Sequence, residues 1–264
     1  MPDASDSRIL PYGKLRRGLA VTMRSAAHLP TIHAFVEIDV TMAREWLHTH
    51  PFADGGQLSF TAFIAHNLAR AVSEQPEIQA LRRGGRQIEI FNDVDVALMV
   101  ERDVDDRKQP VVAIVRHADG KPLRAIHDEI RAAQRGDIAE VWDGYKSMGW
   151  LPLFVIRLGW PLLWWLIRRR PSLYRRYRGT VGISAIGMFG KGGGWGLPFT
   201  TGTQLTLGGI SRKPVVVGDT IAIREILDMT VSFDHALVDG GNAARFVSRL
   251  RELIESANGL GSTQ

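Results

Sequence analysis

The residues best placed to do chemistry stand together in Asp234-His235-Ala236-Leu237-Val238-Asp239-Gly240, between an apolar β-prone run and a long amphipathic segment. This order puts an imidazole where a strand ends and a carboxylate about one helical turn later; Gly240 then lets the backbone turn tightly. An imidazole is the side chain suited to take a proton from a thiol or hydroxyl near neutral pH. Asp239 is placed to cap the helix that follows or to hold an arginine. The bare His-x-x-x-Asp-Gly spacing also fits a structural histidine.

Other groups compete for attention. Gly182-Ile183-Ser184-Ala185-Ile186 offers a hydroxyl but lacks the closing glycine of a hydrolase elbow; a strand serine that only satisfies backbone is the plain alternative. Gly190-Lys191-Gly192-Gly193-Gly194 invites a phosphate-loop reading and fails it twice, with Ala185 where the first glycine belongs and Gly192 in place of Ser or Thr. It reads as a flexible loop beside the site. His48-x-His50 near Asp54 fits a solvated helix end better than a metal site. His28, His33, His66, His117 and His127 carry no partner pattern and read as surface or core residues.

The elements that must position these groups follow from periodicity. Strands are predicted over Thr31–Val40, Gln87–Phe91, Val94–Val100, Thr180–Ile186, Thr203–Leu207, Val215–Val217, Thr220–Arg224 and Met229–Phe233. Pro110–Val115 is a dense β-branched run of the kind buried on both faces of a sheet. Asp103–Gln109 reads as a charged loop. Helices are predicted over Thr41–His50, Ser59–Ser73 with Ser59 as cap, Pro122–Gln134, and Asn242–Glu255 with the apolar stripe Ala243, Phe246, Val247, Leu250, Leu253 and Ile254. Strands and helices intermix throughout, which predicts a layered α/β domain with a mixed sheet.

Composition bounds the chemistry. The chain has 264 residues, 45% of them apolar and 23% charged, enough for a full core. It has no cysteine, which excludes disulfides, thiolate metal sites and a cysteine nucleophile and is compatible with a reducing cytoplasm. If thiol chemistry takes place, the substrate brings the sulfur. The net charge of +5 is concentrated at Arg168, Arg169, Arg170, Arg175, Arg176 and Arg178, a patch that points to an anionic partner. Coenzyme phosphates and acidic lipid heads fit it; nucleic acid ranks lowest, because no recognition motif accompanies the charge.

Further segments stand in a telling order: Arg16-Arg17-x-x-Ala20-x-x-Met23, Pro30 followed by Glu37-Ile38-Asp39, Asn92-Asp93-Val94-Asp95-Val96, and Ile114-Val115-Arg116-His117-Ala118-Asp119. Gly179-Thr180-Val181-Gly182-Ile183-Ser184, Ile186-Gly187-Met188-Phe189-Gly190 and Ala243-Ala244-Arg245-Phe246 complete the set. With the heptapeptide around His235, they make the chain resemble the catalytic domain of dihydrolipoamide acyltransferases, the acyl-transfer component of 2-oxoacid dehydrogenase complexes. The aspartate just before His235 is similar to this family rather than to the paired-histidine condensation domains of peptide synthetases.

The resemblance implies a two-layer, mixed-sheet chloramphenicol-acetyltransferase-like fold, a homotrimer with active sites between subunits, and direct acyl transfer between coenzyme A and a dihydrolipoyl thiol. It implies His235 as general base, Ser184 as hydrogen-bond donor to the oxyanion, and Asp239 as the residue holding the loop, with Gly240 and an arginine, Arg16 or Arg17, in support. It implies no metal and assigns no coenzyme-binding residue. Three positions depart from the family: Ala236 stands where arginine is usual, Thr31 where histidine follows the proline, and Phe199-Thr200-Thr201-Gly202 where an Asn-Pro-Pro-Gln segment is usual. These bear on substrate identity more than on the chemistry.

The expected organisation is a flexible tail over 1–15, a catalytic domain over 16–256 with a hydrophobic insertion at about 142–178, and a flexible tail over 257–264. No lysine sits in an acidic Asp-Lys-Ala hairpin, so neither a lipoyl domain nor a covalently attached lipoyl group is expected. The polar C-terminus predicts a free trimer. Inside the insertion, Trp150–Ile167 approaches the length of a membrane span, but Pro152, Arg157, Gly159 and Pro161 break it. Peripheral membrane contact through Trp150 to Arg178 is one reading; burial against a neighbouring subunit or over the mouth of the site is the other. The whole reads as a CoA-dependent acyltransferase. The alternatives are a catalytically idle trimeric scaffold or membrane-surface protein of the same fold, and a carrier-linked condensation enzyme.

Overall fold

The structure, a computed structural model, describes residues 30–52, 56–104, 107–136, 159, 162, 165–167, 169–187, 192–198 and 202–261. Arg16 and Arg17, the N-terminal tail, Asp54 and most of the insertion lie outside the described residues. A six-stranded mixed sheet forms the frame, in the order β1-β8-β7-β6-β4-β5. Its strands are β1 (Thr31–Asp39), β4 (Val96–Val104), β5 (Arg107–Val115), β6 (Val181–Ala185), β7 (Thr203–Val217) and β8 (Thr220–Asp234). The pairs β4/β6 and β6/β7 are parallel; the others are antiparallel. A separate small hairpin pairs β2 (Leu81–Arg83) with β3 (Gln87–Glu89).

Helices α1 (Thr41–Thr49), α2 (Phe60–Glu74), α3 (Leu123–Arg135) and α5 (Gly240–Glu255) form the second layer, and α4 (Pro171–Arg178) leads into β6. Strand alternation explains the burial. Val181 and Ile183, Leu205 and Leu207, and Met229, Val231 and Phe233 join one core with Phe63, Leu68, Phe246 and Leu250 of the helices. The stripe predicted for α5 is buried at every one of its six positions. This is the two-layer mixed α/β architecture expected from the sequence.

Several element boundaries differ from expectation. The predicted charged loop over Asp103–Gln109 is largely strand, because β4 and β5 keep their antiparallel register out to Val104 and Arg107. Val111 to Val115 is not buried on both faces: β5 is the edge strand, its burial alternates, and Pro110, which has no N–H to donate, is tolerated at such an edge. The four short strands predicted between Thr203 and Phe233 fuse into one long hairpin, β7–β8, with a β-bulge between Leu207 and Ile210. Gly208 is required at that bulge, since a Cβ there would meet the Gly194 carbonyl oxygen at 2.0 Å. Beyond α5, Leu260 is buried in the same core and Asn258 exchanges hydrogen bonds with Asn67. The packed chain thus runs past the boundary at 256.

Candidate active site

His235 follows the last residue of β8, where the chain must leave the sheet and enter α5. The turn is closed by Asp234, whose Oδ1 accepts the Ala236 N–H at 3.0 Å and whose carbonyl accepts the Leu237 and Val238 amides. The His235 amide donates to the Pro30 carbonyl at 2.7 Å, tying the turn to the start of β1. The ring is exposed on one side and fixed on the other: its Nδ1 lies 3.0 Å from the Val238 carbonyl. A carbonyl can only accept, so Nδ1 carries the hydrogen and Nε2 keeps the lone pair of the neutral imidazole. A base nitrogen is thereby aimed away from its own loop.

Asp239 stands at the N-terminal boundary of α5 in extended backbone, and its side chain makes no cap hydrogen bond. The predicted capping role is not realised: the carboxylate is exposed, as are Gly240 and Gly241, so water can solvate the first-turn amides instead. Closure of the turn belongs to Asp234. The proposed arginine partner falls among the residues not described.

Ser184 lies half-buried near the end of β6, on the sheet face away from the helices. Its register partner is Thr206 of β7, which pairs in turn with Thr230 of β8. The Thr206 and Thr230 hydroxyls are buried and find no partner among the described residues. His235 lies five residues past Thr230, which is roughly 17 Å along the strand and about 10 Å across two strands from Ser184. One chain therefore does not bring its own Ser184 and His235 together.

Near the same end of β6, a cleft of about 560 Å³ is walled by α1, the start of α2, β4 and α3, and includes Ala185, the residue after Ser184. Its lining carries Arg44, His48 and Arg131 beside the apolar Leu47, Leu58 and Met99. No sequence motif marks the two arginines, because Arg44 and Arg131 come from helices far apart in the chain. His127, read as a surface or core residue, is buried, and its Nδ1 accepts the Ser59 N–H at 3.0 Å. Ser59 in turn makes no side-chain cap to α2, contrary to expectation. His33 Nδ1 lies 2.8 Å from the Ser232 hydroxyl. Among the described residues no cluster of three His, Cys, Asp or Glu could hold a metal ion, and no helix is long and apolar enough to cross a membrane.

Two ion clusters brace this frame. The buried Asp95 carboxylate accepts from Arg175 at 2.7 Å, Arg116 at 2.8 Å and the His117 amide at 3.0 Å. Burial pushes its pKa up, but the hydrogen bonds from Arg175, Arg116 and the His117 amide outweigh it and hold the carboxyl below its ordinary range. Buried Asp228 accepts the Gly194 N–H and the Lys213 ammonium, pinning the glycine-rich segment across β7. Of the insertion, Ile167 is buried with Leu81 and Tyr174, against the chain's own small hairpin.

Against this geometry, the family of 2-oxoacid dehydrogenases acyltransferase (catalytic domain) matches residues 4–137 and 176–261. The chain belongs to that family. The break in the match, residues 138–175, covers most of the hydrophobic insertion. The lipoamide acyltransferase component of the branched-chain alpha-keto acid dehydrogenase complex of Bacillus subtilis is 22% identical over 260 residues, covering 96% of this chain and 53% of that protein. The dihydrolipoyllysine-residue acetyltransferase component of the pyruvate dehydrogenase complex of Acholeplasma laidlawii is 34% identical over 257 residues, covering 94% of this chain and 41% of that protein. The chain spans about half the length of the curated relatives it matches. Its fold is shared with the dihydrolipoamide acetyltransferase of Azotobacter vinelandii, at a TM-score of 0.72 and 18% identity over 97% of this chain and 96% of that one. A probable dihydrolipoamide acetyltransferase of Listeria monocytogenes aligns at 0.71 and 19%, over 97% of each chain.

Proposed function

We propose that this chain transfers acyl groups between coenzyme A and a thiol acceptor of the dihydrolipoyl class, by direct transfer at a site completed between subunits of a homotrimer. The observation that carries the reading is the His235 ring, fixed through Nδ1 so that Nε2 is the available base. A thiol with a pKa of about 8.5 is only a few per cent ionised at neutral pH. His235 Nε2 takes the proton from the attacking sulfur as that sulfur adds to the thioester carbonyl. The Ser184 hydroxyl donates to the oxygen on which charge develops. Collapse of the tetrahedral intermediate breaks the carbon–sulfur bond to the departing thiolate, which recovers its proton from the His235 imidazolium.

The Azotobacter vinelandii enzyme has a serine, a histidine and an asparagine with roles in its catalytic mechanism, the last two spaced by four residues. Ser184, His235 and Asp239 stand in the same order, with the latter pair at the same spacing. Asp239 takes the supporting role, with Gly240 at the turn and Arg16 or Arg17 as its partner. The cleft ending at Ala185 supplies Arg131, and Arg44 whose Nε is held by Glu225 at 2.6 Å, for coenzyme phosphates, and apolar Leu47 and Leu58 for the pantetheine arm. The separation of Ser184 from His235 within one chain supports a shared site, with each protomer giving one residue.

The test is release of free thiol from acetyl-, medium- and long-chain acyl-CoA in the presence of dihydrolipoamide. Turnover that falls by about 10² to 10⁴ in His235→Ala is the expected outcome. No turnover with any donor, and no change on that substitution, would leave the idle scaffold as the better reading.

A further inference from the structure

One wall of the cleft is Gln57 to Thr61, the run that enters α2. It lacks a cap of its own, since the Ser59 side chain bonds none of the first-turn amides. What holds it is His127 of α3, buried to 6% exposure, whose Nδ1 accepts the Ser59 N–H. The Phe52 ring meets the imidazole edge-on at 5.4 Å, and the Arg124 guanidinium lies 3.6 Å above Phe52. An amide only donates, so Nδ1 must bear the lone pair and the ring is neutral, with its hydrogen on Nε2. Ile130, Arg131 and Gln134, farther along the same helix, line the cleft too. The imidazole thus joins two opposed stretches of the lining.

We propose that His127 is a positioning residue for the coenzyme cleft, its ring nitrogen holding the Ser59 wall against α3 and so setting the cleft's shape. This deepens the coenzyme reading above and rests on it. The ring does not itself line the cleft; it acts through Ser59, which does. Protonation at Nδ1 would set one N–H against another and release the wall. Burial first, then Arg131, keep the ring's pKa below its ordinary 6.5, with Arg124 adding to the effect and Asp128 opposing it. The loop facing the ring presents the Phe52 side chain and the Ser59 amide. The neutral, wall-holding state is complete above the ordinary pKa and is lost as pH falls through the lowered one.

The experiment compares wild type, His127→Asn and His127→Ala by calorimetric titration with coenzyme A at about pH 5 to 8. Amide hydrogen exchange of the segment spanning Gln57 to Ile64 is followed in the same samples. Asparagine offers a carbonyl oxygen near the position of Nδ1 and does not titrate. The expected result is an affinity that falls with pH in wild type, with segment exchange rising in step. His127→Asn keeps both tight and flat with pH, and His127→Ala loses roughly tenfold in affinity at the upper pH, the scale of a lost helix cap. If His127→Ala does not fold, the contrast between wild type and His127→Asn decides by its pH dependence. Exchange that stays slow at every pH in wild type, or a pH dependence unchanged in His127→Asn, overturns the proposal. A wild type that binds no coenzyme A while exchange follows the expected pattern overturns the coenzyme reading and upholds the tie between His127 and Ser59.

Discussion

The imidazole of His235 owes its orientation to a carbonyl only three residues away, so its place at a strand end is legible in a short stretch of sequence. Strand end, turn, imidazole and helix start are contiguous, so local rules of chain geometry reach the whole motif. The same rules predict a cap from Asp239 that the side chain does not make. Asp234 and Asp239 flank the loop, and only the backbone path shows that Asp234 accepts the Ala236 amide while Asp239 leaves the first turn of α5 uncapped. His127 was illegible for a different reason: its partner is 68 residues away, and a backbone amide leaves no trace in composition. In the proposed roles Ser184 is a donor needed only once negative charge develops on the thioester carbonyl oxygen. Ser184→Ala should therefore lower kcat by about 10² to 10³ with little change in KM. Steady-state kinetics with acyl-CoA varied at saturating dithiol would show the split; a loss confined to KM would assign the hydroxyl to ground-state binding instead.

Elements are set in place by contacts that sequence periodicity does not register. The β7–β8 hairpin reads as fragments because Gly208-Gly209 and the polar run Ser211 to Pro214 interrupt its apolar alternation, yet pairing with a partner strand carries the ladder through them. The junction of α4 with β6 is held by Asp95, whose carboxylate binds Arg175 on α4 and Arg116 at the end of β5, while the Arg116 guanidinium also donates to the last carbonyls of α4. Removing the carboxylate leaves Arg116 without its counter-charge and Arg175 with only its 3.3 Å pairing to Asp93. Arg116 is 39% exposed and water screens part of that cost, so Asp95→Ala should destabilise by roughly 2–3 kcal/mol rather than the ~3–5 kcal/mol of a fully buried pair. Urea unfolding at neutral pH measures it. Acid should act the same way: the folded carboxyl lies below its ordinary value of 3.8, so its contribution is intact above that value and lost as pH falls through the depressed one. The wild-type advantage over Asp95→Ala should shrink accordingly below about pH 4. Gly179 is the other fixed point. Its φ of +67° with ψ of −166° admits few side chains, and a Cβ there would lie 2.6 Å from the Asp95 carbonyl oxygen. Gly179→Ala should cost at least about 2 kcal/mol in the same assay, and an unperturbed unfolding curve would show that the junction yields without strain.

At the scale of the molecule, the sheet keeps apart two residues that the proposed reaction needs together. Ser184 sits at the C-terminal end of β6, while the register through Thr206 and Thr230 puts His235 level with the opposite end of that strand, two strands away. No side-chain movement spans such a gap in a closely paired sheet. If the reaction uses both, the assembly must supply one from each of two protomers, as symmetric association allows when one surface meets a different surface of the next subunit. That arrangement has a consequence no single-chain site can imitate. Ser184→Ala and His235→Ala, each deeply impaired as a homotrimer, should regain activity when co-expressed or refolded together, because some sites then pair an intact histidine from one chain with an intact serine from the other. Random equal mixing gives about a quarter of all sites both residues. Recovery to that level in the unfractionated mixture, or to about a third of sites in mixed trimers isolated by tags on the two variants, would locate the site between subunits. Mixed trimers no more active than either parent would reject a site that draws His235 from one chain and Ser184 from the next.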